Sequence, residues 1–148
     1  MKSSVKCRLV LVIGAVLIAT GFMSAQDKNQ SSVADSGGKK NVVIEGLVRD
    51  VACPMQNPKS TATNFNLECA VACAKSGSPL IILTREGNSY FPISDQMPDP
   101  DQREKLMPFV GKFVRVTGTV FQRNGTRVIV IQTINELKDV KVKTNLVD

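Results

Sequence analysis

The chain has 148 residues, of which 43% are hydrophobic and 22% charged, with no histidine and no tryptophan. That length suits one domain, and the missing histidine excludes imidazole as a base, nucleophile partner or metal ligand, leaving sulfur, carboxylate, amine and backbone for any chemistry. The formal net charge is +6, but Lys2, Lys6 and Arg8 lie in a leader-like segment, and without them the surplus is +3, which makes no case for a nucleic-acid partner.

The first 25 residues read as a signal peptide. The three cations precede an unbroken apolar run, LVLVIGAVLIA over residues 9–19, and small residues then offer cleavage after Ala25 or after Gly21. Export to the periplasm or medium follows from that reading. The alternative is an uncleaved anchor, for which the segment is slightly short and is interrupted by Thr20 and Ser24. Residues 26–40 (QDKNQSSVADSGGKK) are polar, rich in Ser and Gly, and read as a tether.

Residues 41–51 (NVVIEGLVRDV) are rich in β-branched side chains and predict a first strand, bent at Gly46. Residues 53–65, with Pro54 and Pro58, read as a loop. Residues 66–76 (NLECAVACAKS) read as a short helix, capped by Asn66 and stopped by Gly77 and Pro79. Strands are predicted over 79–84 and 89–93, around a turn at 85–88. Asp101 then opens a short helix that ends at Pro108. Residues 111–121 alternate, with Val114, Val116 and Val120 on one face and Arg115, Thr117 and Thr119 on the other. Asn124-Gly125 is a strong hairpin signal before a last strand over 127–134. Residues 138–148 alternate Val and Lys, as a lysine-guarded edge strand or a frayed end would.

This order predicts a mainly β domain over 41–137: a five-stranded OB-like antiparallel barrel, with a cysteine-bearing helix inserted between strands 1 and 2. A five-stranded sandwich is the alternative. The pattern GLVRDVAC, the later Cys-x-x-x-Cys, Gly-Ser-Pro-Leu and the closing VGKFVRVTGTVFQRNGTRVIVIQTI resemble small exported bacterial OB-fold-like proteins of mostly unassigned function. Some of these carry histidine in the insert where this chain has residues 59–64. The resemblance implies a fold and an envelope location, and no mechanism.

Cys53, Cys69 and Cys73 are the candidate functional residues. Outside the cytosol thiols pair, and three cannot all pair within one chain. A bridge from Cys53 to Cys69 or Cys73 would close a loop of roughly 15–20 residues, worth about 3 kcal/mol. It would make the domain a non-catalytic binding or interaction module, for an envelope protein or a small ligand, with a stapled insert. In the alternative, the three thiolates hold Cu(I) or zinc, Met55 adds a thioether to the soft ion, and Asp50, Glu68 or water completes the four ligands zinc takes. The third reading is thiol-redox chemistry, which needs an accessible low-pKa thiol. Asp95, Asp99 and Asp101 read as a solvated turn. Tyr90, Phe91, Phe113 and Phe121 read as core, and Arg49, Arg115, Arg123 and Arg127 as an outer, solvated face.

Overall fold

The computed structural model describes residues 40–147. The expected signal peptide, and the tether apart from its last residue, lie outside the described residues. Among those described, no helix is long and apolar enough to cross a membrane.

Five strands close into a barrel in the order β1-β2-β3-β5-β4. They are β1 (Lys40–Asp50), β2 (Leu80–Leu83), β3 (Ser89–Ile93), β4 (Phe113–Arg123) and β5 (Thr126–Glu136). A barrel has no open edge along its strands, so the sandwich alternative does not hold. Four neighbouring pairs are antiparallel. The closing pair, β3 with β5, is parallel, which corrects the expectation of an antiparallel barrel. Between β3 and β4 the chain passes through α3 (Arg103–Leu106) and a 3-10 turn at Met107–Phe109. The β4–β5 hairpin then brings β5 back beside β3 in the same direction.

The hairpin turns on Asn124 and Gly125, both at positive φ (49° and 80°), as a type I′ turn requires. Gly46 sits where β1 changes partner from β4 to β2. A Cβ there would stand 2.6 Å from the Leu83 carbonyl oxygen. A small barrel coils its strands this closely only where a side chain is missing. A register shift at Thr117/Gly118 marks a bulge in the β4–β5 pair.

The apolar side chains form two clusters on the two faces of the sheet. Ile44, Val48, Ile82, Val114, Val116 and Ile129 fill the barrel. Leu47, Ile81, Leu83 and Phe113 point outward, into a second core made with Ala62, Phe65 and Ala70. That second core exists because the segment between β1 and β2, carrying α1 (Ala52–Gln56) and α2 (Leu67–Lys75), folds over the outside of the barrel. Alternation along β1 is therefore lost at its end, where residues 46–50 are buried on both faces.

The C-terminal tail is neither a full edge strand nor frayed. Lys143 N–H donates to the Thr63 carbonyl, Phe65 N–H to Lys143 and Leu67 N–H to Thr144, at 2.7–2.9 Å. Val140 and Val142 pack on the second core. The tail thus straps the segment that leads into α2.

Gly46→Ala is expected to lower stability by about 1–3 kcal/mol through overpacking against backbone that cannot yield. Urea midpoints of the two proteins check this. An unchanged midpoint would mean that β1 can uncoil at this point.

Candidate metal centre

The end of β1 sets the site. Arg49 and Asp50 are both fully buried, with Arg49 Nη2 3.5 Å from Asp50 Oδ1. Arg49 Nη1 donates to Ser60 Oγ at 2.8 Å, and its guanidinium lies over the Phe65 ring, 5.5 Å from the centroid. The expectation of a solvated Arg49 is corrected here: the insert covers the outer face of β1 and traps it. Arg115 does stay outside and pairs with Glu45 at 2.7 Å.

Asp50 Oδ2 accepts the Cys53 N–H at 2.8 Å. This fixes the start of α1, a short helix in a stretch expected to be loop. Pro54 is compatible with a first turn because its missing N–H would have had no partner there.

α2 brings the other two sulfurs. Asn66 Oδ1 accepts the Cys69 N–H at 2.9 Å and caps the helix as its sequence predicts. At the other end Arg103, on α3, donates to the carbonyls of Ala74 and Ser78 at 2.6 and 2.9 Å. Ala70 and Ala74 are buried against the barrel. Cys69 and Cys73, four residues apart, then lie on one face of the helix.

The result is a triangle of free thiols. The Cys53 and Cys69 sulfurs are 3.0 Å apart, and each is 4.0 Å from the Cys73 sulfur. Among the described residues no disulfide is formed, so the expected staple is not shown, and the three sulfurs lie within 4.8 Å of one another. The point equidistant from the corners of such a triangle is about 2.2 Å from each sulfur, against about 2.3 Å for a zinc–thiolate bond. All three cysteines are half-buried. They form a group that could hold a metal ion.

Met55 does not turn toward the sulfurs with Cys53. Two residues along a helix is the opposite side, and Met55 is 75% exposed. Glu68 is exposed on α2. Asp50 is adjacent to Cys53, but its carboxylate is not among the donor atoms gathered within 4.8 Å of one another.

The electrostatics of the three-thiol group oppose thiolates at Cys53 and Cys73. Burial pushes the Cys53 thiol well above the ordinary range. Proton sharing with Cys69 and with the Asp50 carboxylate acts in the same direction. Burial raises Cys73 too, where a hydrogen bond with Cys53 works against the shift, and Cys69 and the Asp50 charge add to it. A redox thiol needs the opposite shift.

The other candidates are accounted for locally. Asp99 Oδ1 accepts the Ser94 N–H and Asp101 Oδ1 the Arg103 N–H, so both serve the loop. Phe113, Phe91 and Tyr90 pack in the two cores, while Phe121 is 36% exposed. A groove of about 540 Å³ lies against Phe121, Val128, Val130 and Lys105, and none of the cysteines lines it. No family model, curated protein or solved structure matches this chain.

Asp50→Ala is expected to cost about 3–5 kcal/mol, because it strands a buried guanidinium; thermal unfolding of the reduced, metal-free protein measures it. The thiols give a second expectation. The unfolded chain ionises them near the ordinary value of 9.0, whereas the folded state holds the Cys53 and Cys73 protons more tightly. The stabilising contribution is therefore fully present below about pH 9 and is lost as pH rises beyond it, the unfolded state deprotonating first. Urea midpoints of the reduced protein should fall above that pH, and Cys53→Ser should flatten the fall.

Proposed function

We propose that this domain is an exported binder of a thiophilic metal ion, Cu(I) or Zn(II), held by Cys53, Cys69 and Cys73. The observation that carries the reading is the sulfur triangle, whose centre stands at a metal–thiolate bond length from all three corners. Soft thiolate sets select Cu(I) and zinc over the hard divalent cations. Three sulfurs suit trigonal Cu(I), and zinc would add water at the half-exposed face.

The strand order and the placement of the insert support an OB-like barrel as the carrier. In that fold, the loop joining the first two strands borders the usual ligand face. The basic start and apolar run of residues 1–25 support export to the cell envelope. The raised pKa values of Cys53 and Cys73 argue against the redox reading at those two thiols. Within this reading the ion does what a disulfide would otherwise do. It ties α1 to α2, and binding to the folded state alone adds to its stability.

The reduced protein is expected to bind one Cu(I) or one Zn(II) per chain, and serine at any of the three positions to weaken binding at least tenfold. Native mass spectrometry and competition with a chromogenic chelator measure both. A protein isolated from the envelope two hydrogens light, with one alkylatable thiol after denaturation, would overturn the metal reading in favour of a disulfide.

A further inference from the structure

We propose that the site is selective for a trivalent metalloid hydroxide, arsenous acid or its antimony analogue, captured as a neutral three-sulfur adduct. The inference rests on the three-thiol reading above and names the class of ion that the site fits best.

The first argument is the number of donors. The gathered group consists of three cysteines and no carboxylate. Asp50 is committed elsewhere, with Oδ2 taking the Cys53 N–H and Oδ1 facing Arg49. Met55 faces solvent. A four-coordinate ion therefore lacks a protein ligand, whereas trivalent arsenic forms three bonds and fills its fourth direction with a lone pair.

The second argument is charge. The buried neighbours of the site, Arg49 and Asp50, cancel each other. Three thiolates around Cu(I) leave two negative charges, and around zinc they leave one. Around a trivalent metalloid they leave none. Half-buried sulfur disfavours uncompensated charge, so the neutral adduct is the one that the surroundings favour.

The third argument is the reaction itself. Three S–H bonds and three As–OH bonds break, three As–S bonds form, and three waters leave. Arsenic stays trivalent and no electron moves. No charge is gained or released, so no base is needed, and this chain has no histidine to act as one. The sulfurs need little movement, because the triangle has edges of 3.0, 4.0 and 4.0 Å before anything binds.

The test uses the full secreted chain, reduced and metal-free, with sodium arsenite as probe and zinc and Cu(I) titrated in parallel. The expected product in native mass spectrometry gains one arsenic and loses three hydrogens, and all three thiols become resistant to alkylation. Arsenite at equal concentration should displace zinc. Each Cys→Ser variant should give an adduct that keeps one As–OH and binds at least tenfold more weakly. Because a serine variant can fail to fold, the wild-type hydrogen count and alkylation pattern are read independently of it. An As–OH retained on the wild-type protein would mean two-sulfur capture and would overturn the proposal. Stoichiometric zinc or Cu(I) binding that arsenite cannot displace would overturn it too, while leaving the thiophilic site intact. A protein that binds none of the three ions would sink both readings.

Discussion

The buried pair of Arg49 and Asp50 is the interaction on which the rest of this structure depends. Two charges with no solvent exposure are tolerable only together, and removing either leaves the other uncompensated at a cost of several kcal/mol. The pair sits where β1 leaves the barrel, so the chain cannot end its first strand in water. Something must cover the outer face, and the insert does so with Ser60 and Phe65, which bond and stack on the guanidinium. Once that cover is in place, Asp50 has one oxygen free to hold the Cys53 N–H. The strand end, the insert and the first thiol are thereby fixed by one pair of side chains.

The same arrangement leaves the pair short of partners. Arg49 Nε and Nη2 and Asp50 Oδ1 are buried without hydrogen bonds, a cost that native structures concentrate at functional sites. An anionic carboxylate beside thiols makes thiolates harder to form. In the proposed complex that balance would reverse, since the protons would leave and the negative charge would be drawn onto the bound centre.

Much of the barrel was legible in the sequence because its signals are local. The alternation within 111–121, the Asn124-Gly125 turn, and the Asn66 cap with Gly77 behind Lys75 each act within a few residues, and the structure has strands, hairpin and helix there. The spacing of Cys69 and Cys73 likewise placed them on one helical face. What the sequence hid was set by contacts between distant segments. Arg49 looked like a solvated strand residue because nothing near it announces that residues 60–65 will lie on top. Cys53 could be read as half of a disulfide or as one corner of a three-thiol set, and its approach to the other two depends on how α1 leaves Asp50. Met55 looked like a ligand by its distance along the chain, although a helical start turns it away. The parallel β3–β5 pair had no sequence signal of its own.

How ready the thiols are for a ligand follows from how they are held. Cys53 is set by Asp50. Cys69 and Cys73 ride on a helix pinned at its start by Asn66 and by the tail through Leu67 N–H to Thr144, and at its end by Arg103. These anchors come from β1, the tail and α3, and none of them uses a sulfur atom. The ordering entropy of the site is therefore met by folding of the barrel and not by the ligand, which is what preorganisation means for affinity. A zinc-finger-like peptide must fold around its ion. Here the anchors lie in the barrel, the tail and α3, so the sulfurs are placed by contacts that do not involve an ion. That division explains how a domain with no imidazole can still hold three thiols in a triangle of defined size.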